Sequence, residues 1–345
     1  MRRPLLIGLI AGALAFVILA VVGVVVAFSV IDRQNAVAEH REATSELTDV
    51  VEASEVAITE ADEVLSIAAD PLLAVDAVAV VTTERDAATA GLDDADRMLE
   101  TDLDELETES IRALTADILA TSTDLRNDDE RVFAALAELV SATQAAAPSV
   151  EAANFDAENA PHIAFRDAGA DLDTAATDAI AEYLVSYLDA AHALEASHGE
   201  EIAEKAGPLL DGRLTVQAFA RSISGGVLLD FDWAPTVSGY GLGGSYGGTS
   251  YWYSADGGYA TITLSDSVAT MWPGAGVQSL VVHEVGHAIL AKCTELFFDS
   301  EFYAGEEESW ATAWAIGMGY TADGSGESIY GRPSDGLIQL STQCR

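Results

Sequence analysis

Basic residues are scarce in this chain. Its 16 Lys and Arg stand against 57 Asp and Glu, for a formal net charge of −41 and an isoelectric point near 4.1. That deficit argues against nucleic acid as a partner, because a phosphate backbone would be repelled, and an anionic membrane surface would be repelled for the same reason. Histidine is sparse too, at six residues, and cysteine sparser still, at two, so no more than one intrachain disulfide is available. Aromatic residues make up only 7%, yet half of the chain is hydrophobic, which is enough for a sizeable core. The length of 345 residues allows roughly two domains.

The acid is unevenly placed. Residues 32 to 205 hold 42 acids against 9 bases, a net of −33, and residues 206 to 345 hold 15 against 5, a net of −10. Acidity of this kind reads as a solvated helical surface or salt adaptation before it reads as an acid-specific binding role. At the N-terminus there is no charge at all from Pro4 to Ile31, a stretch of 28 residues. A bilayer needs roughly 20 apolar residues, and the apolar core of a cleaved signal has roughly 7 to 15. Arg2 and Arg3 precede the stretch, so the positive-inside rule holds the short tail in the cytoplasm. The expected topology is a single-pass signal anchor in the cell membrane, N-terminus cytoplasmic and main body extracytoplasmic; the lesser alternative is a cleaved or lipid-processed signal. Both cysteines, Cys293 and Cys344, follow the anchor, and an oxidising compartment favours a disulfide between them.

Composition divides the chain into three parts: a tail and transmembrane anchor over 1–31, an acidic helical stalk or bundle over 32–206, and a compact α+β domain over 207–345. The middle part is rich in Ala, Asp and Glu. Its Leu92, Leu99, Leu103, Leu106, Leu114 and Ile118 recur at mostly helical steps, as one stripe of a long helix. Asp70-Pro71, Gly91, Ala147-Pro148, Ala160-Pro161 and Gly207-Pro208 punctuate it into three to five helices, packed as a bundle or coiled-coil stalk through which a homo-oligomer could form. His40, His162, His192 and His198 have no ligand-like neighbours and read as surface or packing residues. After Pro208 the segments LTVQAFARSISGGVLLDFDW and TSYWYSADGGYATITLSD carry strand residues around a Gly/Tyr loop. GAGVQSLVVHEVGHAILAKC and EEESWATAWAIGMGY then return to helical spacing, an α+β order.

Within the first of those helices, His283 and His287 lie one turn apart on one face, so both imidazoles can reach one ion. Glu284 beside them is offset from the metal but close enough to reach a water on it. This is the HExxH arrangement of two zinc ligands and a general base; the competing reading is a core helix whose histidines find other polar partners. A catalytic zinc needs a third protein ligand. No histidine follows His287, which excludes the third-histidine pattern of the metzincins and leaves a carboxylate, with Asp299, Glu301, Glu306, Glu307 and Glu308 to choose from.

At this point the sequence resembles the gluzincin-type zinc metallopeptidases, in which a glutamate about twenty residues downstream completes the site, often opening an ExxAD-like helix turn. The resemblance covers the last third of the chain and rests on two short motifs. It makes Glu308, in E-S-W-A-T, the third ligand, with Glu307 as runner-up; Glu306, at the helix start, suits the helix dipole instead. Thr312 stands where those families often have an aspartate that orients a histidine, a departure that bears on how the imidazoles are held. The resemblance also implies a zincin-like fold, Zn2+ as cofactor, and a peptide or protein substrate. It further implies that residues 258 to 266, GYATITLSD, form the strand at the cleft's edge, where an ordinary sheet strand is the other reading. An oxyanion donor is expected among Tyr303, Tyr320 and Tyr330.

The function expected from the sequence is a membrane-anchored zinc peptidase with Glu284 as general base. A non-enzymatic surface sensor or spacer with an inactive peptidase-like domain is the alternative, and a zinc hydrolase acting on a non-peptide bond is a third. The topology is directly testable. Protease added to intact cells should degrade the bulk of the chain, and full protection would reverse the assigned orientation.

Overall fold

The computed structural model describes residues 4–242, 244–298 and 306–345. The chain divides into two compact units, one of Met1–Ala145 with Leu172–Val185, the other of Ala146–Asp171 with Ser186–Arg345. The second unit therefore takes in helical segments that composition groups with the stalk, and position 206 falls inside it.

The first unit is built on three helices, α1 (Pro4–Ser66), α2 (Val75–Leu99) and α3 (Thr108–Gln144). Its first helix is long and apolar enough to cross a membrane or act as a signal sequence, and apolar side chains such as Leu19, Val25 and Phe28 are exposed on it. Beyond Asp32 the pattern changes to a heptad. Ala36, His40, Ala43, Leu47, Val50, Ser54, Ala57, Ala61 and Val64 are buried at alternating steps of four and three. On α3, Ile111, Thr115, Ile118, Ser122 and Leu125 repeat that rhythm. A 3.5-residue repeat keeps one seam facing its partner, which is coiled-coil packing. Two polar layers fix the register: Thr115 Oγ1 lies 3.4 Å from His40 Nδ1, and Ser54 Oγ donates to Asp129 Oδ2 at 2.9 Å. Both pairs are 75 residues apart, so α1 and α3 run parallel. Each fully buried leucine on the seam contributes about 1.5–3 kcal/mol.

The stripe from Leu92 to Ile118 is not one helix. It breaks after Leu99, and Leu103 and Leu106 lie in the connection to α3. Two interactions, one local and one remote in sequence, hold the chain out of the helix there. Asp102 Oδ1 accepts from the Asp104 amide at 2.9 Å, an Asx turn, and the Arg33 guanidinium donates to the carbonyls of Leu103 and Leu106. Gly91, read as a breaker, lies inside α2. A Cβ there would come 3.0 Å from Leu125 Cδ2, so the missing side chain lets α2 approach α3.

Three further helices follow, α4 (Ala147–Ala153), α5 (Asn159–Asp173) and α6 (Ile180–Glu204), then α7 (Leu210–Ile223). The strand-like run from Leu214 is in fact this last helix, with Val216, Gln217 and Ala220 buried at helical spacing. The sheet comprises β1 (Leu228–Ala234), β2 (Gly248–Tyr253) and β3 (Tyr259–Ser265), in the order β1-β3-β2. β3 pairs parallel with β1 and antiparallel with β2. It is therefore the central strand, hydrogen-bonded on both sides, and not the cleft edge expected of residues 258–266. Among the described residues the two edges are β1 and β2, and β2 is the one that packs beside the helix Ala275–Ala288.

Six helices follow among the described residues: α8 (Asp266–Met271), α9 (Ala275–Ala288), α10 (Leu290–Phe298), α11 (Glu307–Gly317), α12 (Glu327–Tyr330) and α13 (Asp335–Ser341). Valines 277, 281, 282 and 285 are buried around α9, which packs under the sheet and against α11. A helix covered on all sides lies in the core. Cys293, at a kink in α10, is bonded to Cys344, and the Cys344 carbonyl accepts from Trp314 Nε1 at 2.9 Å, which seats the C-terminal tail.

Asp156 ties the second unit together from outside that core. Its carboxylate is completely buried, with Lys205 Nζ 3.1 Å from one oxygen and an Arg221 nitrogen 2.9 Å from the other. Arg221 also lies over the Phe155 and Phe231 rings, and burial lowers its pKa. Asp156→Ala would leave Arg221 without its carboxylate and Lys205 with Glu201 alone, a loss of about 3–5 kcal/mol. Chemical denaturation of the variant checks this, and wild-type stability would show that the cluster is dispensable.

Candidate metal centre

The two histidines face α11 because α9 comes unusually close to it at Gly286. A Cβ at Gly286 would stand 2.9 Å from Ala311 Cα and 3.0 Å from Ala311 O, so only glycine permits this separation. Glu308, one turn before Ala311, then reaches both imidazoles. Its Oε2 lies 3.1 Å from His283 Nε2 and 3.2 Å from His287 Nε2. The three ligand atoms fall within 4.8 Å of one another, a group that could hold a metal ion. Two imidazole nitrogens and one carboxylate oxygen are donors that transition metals take readily.

His283 is oriented from behind. Its Nδ1 lies 3.1 Å from the Ser325 carbonyl, so an Nδ1–H donated there leaves the Nε2 lone pair for an ion. Thr312 does not do this work. Its buried Oγ1 has no hydrogen-bond partner among the described residues, and Ser325 supplies the acceptor instead. The turn can come so close because Gly326, at φ +92°, has no side chain. A Cβ there would run into Thr312 Oγ1 and sit 2.8 Å from the His283 ring.

Glu284 is buried and lines the same cavity, of about 740 Å³, as the two histidines and Glu308. Gly248, which opens β2, lies directly on it: a Cβ would be 2.7–2.9 Å from the carboxylate. Burial raises the Glu284 pKa and neighbouring Glu308 adds to the rise, against the lowering by the two histidines. Glu308 goes the other way. Burial pushes its carboxyl up, but hydrogen bonds to His283 and His287 and their charge outweigh this, and its pKa falls well below the usual range. The His287 pKa is raised because the Glu308 hydrogen bond and the nearby carboxylates outweigh burial.

Of the acids between the helices, Glu307 lines the same cavity but accepts from Trp252 Nε1 at 3.2 Å, while Glu306 is the exposed N-cap of α11. Asp299 and Glu301, like Tyr303, lie outside the described residues. Tyr320 packs on Phe219 at 5.9 Å within the core. Tyr330 is at the site: its ring stacks on His283 at 5.9 Å and 6°, and it lines the same cavity as Glu308. Partial burial and the Glu308 charge push its phenol up to about 12. Ser325, Gly248 and Gly326 lie outside the motif, and Gly286 is one of its two unspecified positions. The Gly-rich turn DGSGES was the one signal that could have pointed to two of them.

Comparison of the chain with protein-family models, with curated proteins and with solved structures found no match in any of the three.

Metal analysis tests the geometry. His283→Ala, His287→Ala and Glu308→Ala should each abolish stoichiometric metal, and Gly286→Val should weaken it at least about tenfold by forcing the helices apart. Glu307→Gln should retain the ion. Loss of metal in Glu307→Gln together with retention in Glu308→Ala would reassign the third ligand.

Proposed function

We propose that this protein is a membrane-anchored, extracytoplasmic peptidase that uses Zn2+ held by His283, His287 and Glu308. The observation that carries the reading is the placement of Glu284 in one cavity with that donor group. A buried carboxylate within reach of a two-histidine, one-glutamate set has few structural uses, since an unpaired buried acid is costly. The N2O set suits zinc, and cysteine, the softer alternative, is absent from it. When bound, the ion supplies Lewis acidity, polarising a carbonyl and lowering the pKa of a water towards about 7.

The chain's own residues do the rest. Glu284 accepts the proton of the attacking water as the new C–O bond forms, then delivers it to the leaving amine as the C–N bond breaks. No net proton is consumed at the carboxylate. Its burial keeps bulk water from competing for that proton. Tyr330, stacked on His283 at the cavity wall, donates its phenolic O–H to the oxygen on which charge develops. The exposed edge of β2 borders the cavity and offers backbone groups to an extended peptide. The anchor at α1 accounts for an apolar helix whose side chains find no cover among the described residues.

Glu284→Gln separates binding from chemistry. The variant should keep its zinc while peptide hydrolysis falls by about 10²–10⁴. Hydrolysis at the wild-type rate in this variant would sink the mechanism. A chain that takes up no metal would sink the reading itself.

A further inference from the structure

The cleft is acidic beyond what a metal site requires. Four carboxylates line it, Glu284, Glu307, Glu308 and Asp323, and no lysine or arginine lines it among the described residues. Glu284 and Glu308 belong to the candidate centre, and a bound dication would offset their charge. Glu307 and Asp323 would remain. Both are exposed, and each is fixed by a neutral donor: Trp252 Nε1 to Glu307 at 3.2 Å, and Ser328 Oγ to Asp323 at 3.0 Å. Arg332 is held by Glu327 and Asp335 instead.

The two acids stand towards opposite ends of β2. Glu307 is reached from Trp252, near the strand's end, while Tyr246, two residues before its start, donates to the Asp323 carbonyl at 2.9 Å. Tyr246 and Trp252 are six positions apart, so their Cα atoms lie at most roughly 20 Å apart. That spans about five or six residues of an extended chain. The exposed rings of Tyr240, Tyr251 and Tyr330 also line the cavity. Aromatic faces favour cations and also cover the aliphatic stems of long basic side chains.

We propose that the cleft selects an extended polypeptide segment carrying lysine or arginine on both sides of the residues at the metal, with Glu307 and Asp323 as the specificity-determining carboxylates. This rests on the peptidase reading for what happens after binding, but charge complementarity alone carries the choice of occupant. Two uncompensated carboxylates facing a narrow cleft repel an acidic chain and attract a basic one. The charge on the rest of the protein adds to the same field.

The test uses the full-length chain in detergent micelles, loaded with zinc and carrying Glu284→Gln so that the peptide stays intact. Two fluorescent decapeptides differ only in having Lys or Glu on each side of a central apolar pair, and binding is read by anisotropy. The Lys peptide should bind at least about tenfold tighter at low salt, and the gap should narrow as ionic strength rises. The Glu307→Gln/Asp323→Asn double substitution should close the gap, and Glu307→Lys/Asp323→Lys should reverse it. Equal affinity for the two peptides, no binding of either, or a gap untouched by the double substitution would overturn the proposal. If wild-type enzyme cuts neither peptide while the Lys peptide still binds preferentially, the peptidase reading falls and the cationic selectivity stands.

Discussion

The close approach of α9 and α11 at Gly286 governs the candidate centre. A carboxylate is short, so Glu308 can meet two imidazoles on a neighbouring helix only if the two backbones come nearly into contact. Buried Trp310 and Trp314 hold α11 from its far side, and the valines of α9 fill the space under the sheet. The packing of the core thus sets the distance, and the site's polar chemistry depends on an apolar jigsaw. The same logic explains why the centre tolerates a threonine at 312. Once the turn at Ser325 is pressed against His283, a backbone carbonyl supplies the acceptor that a carboxylate side chain would have supplied.

The second constraint is ionic. Asp156 follows α4, Lys205 lies just past the end of α6, and Arg221 is on α7, so one buried carboxylate joins segments far apart in the chain. Asn159 extends the link to the sheet, its side chain donating to the Ala260 carbonyl at 2.9 Å. These contacts explain why residues 146–171 and 186–205 belong to the unit that carries the candidate centre, though their composition matches the acidic region before them. Alanine and acid content reports the solvent-facing surface of a helix. It does not report what the buried face meets.

Much of the site was legible because HExxH places its residues by helix geometry alone, and a helix over 275–288 needed only periodicity. Glu308 was reachable through resemblance, since E-S-W-A-T opens a helix at the right distance. Other features depend on contacts between segments remote in sequence. Arg33 interrupts the stripe between α2 and α3 by capturing carbonyls some seventy residues away. The exchange of roles between β2 and β3 is likewise a matter of pairing order, and alternation within a strand does not specify its neighbours. The Leu214–Ile223 run misled because β-branched and aromatic content outweighed the helical spacing of Val216 and Ala220. Tyr330 could not be told from Tyr320 until the turn carrying it was placed.

The contact between Gly248 and Glu284 has an evolutionary consequence. A single-nucleotide change in a glycine codon yields either another glycine codon, a stop, or a residue that bears a Cβ. At this position every such residue would push a carbon into the Glu284 carboxylate. Position 248 is therefore intolerant of drift for as long as Glu284 must keep its place, although nothing in HExxH mentions it. Among descendants of this chain, a side chain at 248 would mark those in which that carboxylate is no longer required, even where His283, Glu284 and His287 still read as an intact motif.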